Sequence, residues 1–458
     1  MALGQDARTT SILSPPHRRL TIGIVATVVF IAFEAMAVAT AMPKAVPALD
    51  GMRLYALAFS GYFTTSLFGM VLAGEVSDRR GPRLPLIAGT AAFTAGLMVA
   101  GTAQSMWPFV LGRAVQGLGG GIVIVALYVV VGRAYDDSMR PRIFAALSAA
   151  WVVPSIVGPL VAGAVADHLS WRLVFLGIAP LAALPVVLAL PTIATVDGPP
   201  PDGPSLRRGR KRLALAVAVG MGLLQVAGMR ADVVAIGLAV VALALLVPSV
   251  PRLLPRGTLR FGRGLPTVVA MRGVLAGAFF GAEAFVPLML VQERGLSTTL
   301  AGLALTGGAL GWATGSWYQG RPGLRVPRYV LVRVGAALVA AAIAGAGLAL
   351  VPGVPVIAAG LAWAVGGVGM GMAMASVGVL LFELSPVSDQ GANSASLQLS
   401  DALSSITFIG LAGVIFGSSH QAAADTSPAV FATILAVMVV LALFGAWAAG
   451  RVRTAGAP

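Results

Sequence analysis

An eleven-residue phrase occurs twice in this chain, 250 positions apart, and each copy lies inside a long apolar run. The first copy, residues 111–121, reads LGRAVQGLGGG, and the second, residues 361–371, reads LAWAVGGVGMG. Three glycines keep their spacing, while Arg113 and Gln116 of the first copy are replaced by Trp363 and Gly366 in the second. The repeat predicts two related halves that share close helix packing but place polar chemistry on one side only.

Composition places the apolar runs in a membrane. Of the 458 residues, 58% are hydrophobic and only 10% are charged, whereas soluble proteins carry about 25% charged residues. The net charge of +14 is explained better by membrane topology than by nucleic-acid binding. The chain has no cysteine, which excludes disulfides, thiolate metal sites and cysteine nucleophiles. No nucleotide-binding loop or other enzymatic motif is visible in the sequence.

The apolar runs predict fourteen transmembrane helices at about 20 residues per crossing. Arginines are concentrated in alternate connections, and the positive-inside rule places these connections and both termini in the cytoplasm. We therefore expect an all-α membrane protein with two pseudosymmetric six-helix bundles and an inserted two-helix hairpin. The predicted segments are an N-terminal tail at 1–20, a first bundle at 21–192, a linker at 193–212, the transmembrane hairpin at 213–249, a cytoplasmic loop at 250–265, a second bundle at 266–449 and a C-terminal tail at 450–458.

Four motifs occur at or beside four different predicted spans. They are FEAMAVATAMP at 33–43, GEVSDRRGPR at 74–83, RAVQG at 113–117 and PSIVGPLVAG at 154–163. Together they resemble the signatures of the major facilitator superfamily over essentially the whole chain. Fourteen spans with a central hairpin resemble its drug:proton antiporter branch. The resemblance implies alternating access driven by a proton gradient, with no bound cofactor.

The resemblance also implies a set of residues that control conformation. Gly74 and Gly81 would allow a tight cytoplasmic turn, and Asp78 would contact the start of the second half's fifth span, about Asn393–Ala395, and so latch one conformation. The Gly-Pro pair at 158–159 would kink its helix. The full set is Gly74, Asp78, Arg79, Gly81, Arg83, Pro154, Gly158, Pro159 and Gly163.

Ionisable residues inside predicted spans are the sharpest functional candidates, because each costs about 2.5–3.5 kcal/mol at a helix centre on insertion scales. Glu34 is the expected proton carrier and Arg113 the residue that tunes it, although the two could also form a purely structural pair. Glu283 occupies the pseudosymmetric position to Glu34 and could bind a cationic substrate or a second proton. Further substrate-binding candidates are Gln116, Gln398 and Asp401; the last two lie in a polar patch that could line a cavity or only join helices.

These observations predict a proton-coupled exporter of amphipathic small molecules, and not an enzyme. Its expected partners are a small-molecule substrate, protons and the lipid bilayer, without nucleic acid or metal, and we expect a monomer. The expected location is the bacterial cytoplasmic membrane. Export of one endogenous metabolite or lipid-like compound is an alternative. A non-transporting sensor or scaffold on the same fold is another.

Overall fold

The computed structural model describes residues 12–136, 139–193, 210–228, 230, 232–321, 324–386, 390–422 and 428–453. This part of the chain is helical and contains no strand. The predicted linker and both predicted tails fall largely outside it. The α-helices are α1 Pro15–Ala45, α2 Tyr55–Arg80, α3 Arg83–Thr102, α4 Met106–Ala134, α5 Arg140–Ala149, α6 Val152–His168, α7 Trp171–Ile193, α8 Arg210–Gly228, α9 Val233–Leu253, α10 Leu265–Glu283, α11 Val286–Arg294, α12 Thr298–Gln319, α13 Arg328–Gly347, α14 Ile357–Leu384, α15 Gln390–Ala422 and α16 Pro428–Ala448.

Eleven helical segments in the described residues are long and apolar enough to cross a membrane. Two shorter apolar helices, Val152–His168 and Arg212–Gly228, add to them. Helix α12 has 22 residues, but it is rich in Gly and Thr and is not among the eleven. The chain is thus a multi-pass membrane protein, and the count of fourteen crossings stays a prediction.

The same helix pairings occur in both halves of the molecule. Helices α2 and α3 both pack on α4, and α12 and α13 both pack on α14. Helix α1 packs on α6 and α7, and α10 packs in the same way on α15 and α16. The sequence repeat is therefore a repeat of tertiary packing, with α10 and α11 together taking the place of α1.

The repeated glycines bring these helices together. A Cβ atom at Gly117 would collide with the carbonyl oxygen of Tyr62 on α2, and one at Gly367 would collide with the carbonyl oxygen of Gly308 on α12. Helix α4 thus contacts α2 in the way that α14 contacts α12. The predicted close approach of helix backbones is present in both halves.

Helices α8 and α9 form a hairpin that contacts both halves. They pack on each other, and α8 also packs on α2 and α15. Buried Gln225 of α8 accepts a hydrogen bond from Ser60 of α2 at 2.8 Å. At the tip, Asp232 caps α9 by accepting from the Ala235 N–H at 3.1 Å and pairs with Arg230.

The predicted fifth span, 143–166, is two helices and not one. Helix α5 ends at Ala149 and α6 begins at Val152, just before Pro154. Proline has no N–H, and its ring clashes with the carbonyl four residues earlier, so a helix restarts there. The kink that we expected at Gly158 and Pro159 is not where this span is interrupted: both residues lie within α6.

The predicted ninth span, 266–291, is also interrupted. Helix α10 ends at Glu283, and α11 begins at Val286, whose neighbour Pro287 cannot donate a backbone hydrogen bond. The hydroxyl of Tyr55, from the first half, donates to the Ala284 carbonyl inside the break at 2.9 Å. An acidic candidate residue therefore lies directly at a helix interruption.

The two ends of the bundle differ. At the arginine-rich side, α2 ends at Arg80, α3 begins at Arg83, and Arg133 of α4 donates to the end of α2. At the far side, α1 and α6 end and α12 begins. Three hydrogen bonds between described residues of the two halves lie toward the far side, at Tyr55–Ala284, Ser155–Thr306 and Asp167–Thr299. These contacts join the halves at the far side.

Candidate functional site

A buried ion pair lies in the first half. Glu34 of α1 and Arg113 of α4 are 1% and 5% exposed, and Glu34 Oε1 lies 2.7 Å from Arg113 Nη1. The repeated phrase places Arg113 on α4, the helix whose packing glycines lie against α2 and α3. The structure thus brings the two predicted coupling residues into direct contact.

Three further groups surround the Arg113 guanidinium. Gln116 Oε1 accepts from Nη1 at 2.6 Å, and the Ala58 carbonyl accepts from Nε at 3.2 Å. The ring of Tyr62 lies under the guanidinium, 4.6 Å from its carbon to the ring centroid. A buried charge pair is tolerated when its remaining donors find partners, and this shell provides them.

Tyr62 was not predicted as a site residue, although it lies in the polar stretch SGYFTTS of the second predicted span. Gln116, which we predicted as a substrate residue, is fully buried, and its Nε2 has no hydrogen-bond partner among the described atoms. Its observed contact is with Arg113. Gln116 therefore belongs to the ion-pair cluster in this conformation.

Glu283, the corresponding carboxylate of the second half, has a different environment from Glu34. Glu283 is partly exposed and forms no salt bridge among the described residues. Trp363, the repeat counterpart of Arg113, faces it with a fully buried indole. The indole N–H makes no hydrogen bond of ordinary geometry. Where the first half pairs its acid with a guanidinium, the described residues of the second half place an indole beside Glu283.

A series of aromatic contacts begins at Trp363, the neighbour of this second carboxylate. Phe279 stacks on Trp363 with centroids 4.8 Å apart, and Phe280 stacks on Trp312 at 6.4 Å. Phe280 and Trp312 are partly exposed, as Glu283 is. A partly accessible acid beside aromatic faces is chemically suited to an organic cation.

Asp401 does not stand alone in a polar patch. It pairs with Arg272 of α10, with Nε 2.7 Å from Oδ2, and the two side chains are 23% and 18% exposed. Gln398, one turn earlier, is exposed. Arg272 was missed by the sequence analysis, although a charged residue inside an apolar span was visible there.

The residues of the conformational motif are placed as follows. Gly81 follows α2 with a φ of +79°, which favours glycine, but Gly74 lies inside α2 and not in the turn that we expected. Arg79 pairs with Glu75 at 2.9 Å, and Arg83 begins α3. The Asp78 side chain lies outside the described part, so its contact with the segment Asn393–Ala395 stays a prediction. Within that segment, the Asn393 side chain donates a hydrogen bond to the Ser385 hydroxyl.

Known proteins share both the sequence and the fold. The family model of the Major Facilitator Superfamily matches residues 22–363. The chain is 29% identical over 168 residues to the multidrug transporter protein MdtP of Bacillus subtilis, covering 37% of this chain and 31% of MdtP. It is 23% identical over 299 residues to the multidrug efflux pump SdrM of Staphylococcus aureus, covering 62% of this chain and 64% of SdrM. The chain therefore spans less than two thirds of either relative.

Among solved structures, the POT family transporter PepTSo superposes with a TM-score of 0.71 at 13% identity. The match covers 94% of this chain and 97% of PepTSo, and at this identity it shows the fold alone. The family and the relatives are transporters and not enzymes. The family match extends over most of the chain, so the protein belongs to the major facilitator superfamily.

Proposed function

We propose that this protein is a proton-coupled exporter of amphipathic small molecules that works by alternating access. The observation that carries the proposal is the Glu34–Arg113 pair, shielded from water at the core of the first half. Ionisable side chains are costly inside a membrane and mark functional sites when they are present there. The names of the relatives MdtP and SdrM, both multidrug proteins, support the substrate class.

Proton coupling follows from the geometry of this pair. In the described conformation Glu34 is buried and in direct contact with Arg113. A conformational change that separates the two groups, or opens the site to water, would let Glu34 take up a proton. Because linkage is reciprocal, a proton gradient would then bias the conformations.

The substrate site that we propose is Glu283 with its aromatic neighbours. Glu283 lacks a basic partner among the described residues, so a substrate cation could provide the missing charge. Phe280 and Trp312 would contact the apolar part of the substrate. The Asp401–Arg272 pair, which joins α15 and α10 in the same half, would be a second polar contact for the substrate.

The proposed topology is fourteen crossings in a bacterial cytoplasmic membrane, with a monomer as the working unit. The arginine-rich side would face the cytoplasm by the positive-inside rule. The far side, where the halves are joined, would then face outward. The described conformation would correspond to a state closed toward the outside.

The decisive test is substrate-induced proton release from purified protein in proteoliposomes, with a panel of cationic and neutral compounds. Glu34→Gln removes the titrating group and should abolish proton exchange while a neutral substrate still binds. Glu293→Gln makes the same chemical change near the end of α11 and should behave like the unchanged protein. Exchange at the normal proton-to-substrate ratio in Glu34→Gln would place the coupling site elsewhere, with Asp401 next. A protein that transports none of the panel would favour the sensor or scaffold alternative.

A further inference from the structure

One carboxylate of the first half caps a helix of the second half at the far side. Asp167, near the end of α6, accepts hydrogen bonds through Oδ2 from the N–H and the hydroxyl of Thr299, at 3.0 and 2.7 Å. Its Oδ1 accepts from the Thr298 N–H at 3.3 Å and lies 3.0 Å from Lys44 Nζ. Lys44 also donates to the Ala166 carbonyl at 2.9 Å, which holds it beside the carboxylate.

This contact provides hydrogen-bond acceptors for the first N–H groups of α12. The first N–H groups of a helix have no partner within the helix and form the positive end of its dipole. Ser297 is the N-cap of α12, and its side chain accepts from the Leu300 N–H at 3.2 Å. The two preceding N–H groups, of Thr298 and Thr299, bond to Asp167 of the other half. The N-terminal cap of α12 therefore consists of Ser297 from its own half and Asp167 from the other half.

A second hydrogen bond between the same helices follows from a proline. Pro159 has no N–H, so the Ser155 carbonyl four residues earlier loses its partner in α6. The Thr306 hydroxyl of α12 donates to that carbonyl at 3.1 Å. Between these two contacts the backbones of α6 and α12 are close, as shown by the collision that a Cβ atom at Gly163 would make with Thr299. Helix α6 is thus attached to α12 over several turns.

We propose that Asp167 is a positioning residue of the transport cycle, which holds the far side shut and releases α12 whenever that side opens. The contact lies on an interface that alternating access has to break. It lies at the edge of the bundle, where the Lys44 and Asp167 side chains are 42% and 12% exposed. Water can therefore replace the lost partners on both sides. The inference rests on the alternating access proposed above, but it does not depend on the role of Glu34.

The experiment measures conformation and not transport. Because the chain has no cysteine, spin labels attached at Trp107→Cys and Leu348→Cys report one distance across the halves at the far side. Both positions are exposed at far-side helix ends. Pulsed electron paramagnetic resonance in proteoliposomes measures the distance between the two labels. The ratio of molecules with a long distance to molecules with a short distance reports how often the far side is open. Asp167→Asn should raise that ratio between about twofold and thirtyfold.

The control is Asp232, an aspartate that also caps a helix but makes these contacts within the hairpin and not between the two halves. Asp232 caps α9 and pairs with Arg230 within the hairpin, so Asp232→Asn should leave the distance ratio unchanged. Lys44→Met and Thr299→Val each remove one partner of Asp167 and should shift the ratio in the same direction by less. They replace Asp167→Asn if that variant does not fold. An unchanged ratio in these variants, or an equal shift in Asp232→Asn, would overturn the proposal. Loss of proton coupling in Glu34→Gln tests the proposed function separately and does not alter this outcome.

Discussion

At the scale of single residues, the two halves place related acids in opposite environments. Glu34 is held by Arg113, whereas Glu283 faces the indole of Trp363 and keeps part of its surface accessible. The same repeat position is therefore a cation in one half and an aromatic ring in the other. This difference assigns the proton to the first half and the substrate to the second in the proposed function.

Glu283→Gln should weaken binding of cationic substrates far more than binding of neutral ones. The substitution keeps the size of the side chain but removes its charge. Hydrogen bonds to charged groups contribute about 1.5–3 kcal/mol, which corresponds to about a tenfold to hundredfold loss of affinity. Equilibrium binding of matched charged and neutral compounds measures the effect, with Glu293→Gln as the control. Equal losses for both compounds would argue against a charge contact.

At the scale of helices, glycine spacing decides which helices can touch. Gly371 of α14 lies against the Trp312 carbonyl of α12, whereas a Cβ at Gly378, two turns on in the same helix, would meet no atom within 4 Å. Helix pairs in membranes associate through such close contacts, because lipid provides no hydrophobic force to bring them together. Helix α14 therefore carries both packing glycines and a glycine without this constraint.

Gly371→Ala should destabilise the protein, while Gly378→Ala should leave its stability nearly unchanged. Adding a methyl group to a packed interface costs about 1–3 kcal/mol, because the helices have to separate. Thermal unfolding of purified protein in detergent compares the two variants under one condition. Equal unfolding temperatures would show that the α12–α14 contact can relax, and would remove the packing role from the repeated glycines.

At the scale of the whole molecule, the hairpin α8–α9 contacts both bundles without joining the pairings that the two halves share. In the proposed topology it crosses the membrane twice and returns the chain to the side on which it began. The arginine-rich connections before and after the hairpin can then lie in one compartment, as the positive-inside rule requires. In that topology the hairpin keeps the orientation of the second bundle consistent with the positions of its arginines.

Single cysteines test this topology in intact cells, because the chain has none of its own. Leu259→Cys, after α9, should be labelled only from the cytoplasm, and Val233→Cys, at the start of α9, only from outside. Both side chains are exposed, at 60% and 83%. A membrane-impermeant thiol reagent, applied before and after permeabilisation, measures the side. Labelling of both from the same side would show that the hairpin does not cross.

Sequence alone determined the membrane class, the duplication and the main ionisable candidates, because apolar composition, repeated glycines and charges inside apolar runs are local signals. It also identified Glu34 and Arg113, whose contact the structure then showed. Tertiary structure decided which charges meet. Arg272 reaches Asp401 across 129 positions, and Asp167 reaches Thr299 across 132. Such partners depend on how helices from different parts of the chain pack, and no local pattern records that. Packing likewise decided which prolines the helices tolerate, because Pro159 lies inside α6, where Thr306 satisfies the carbonyl that this proline leaves unpaired.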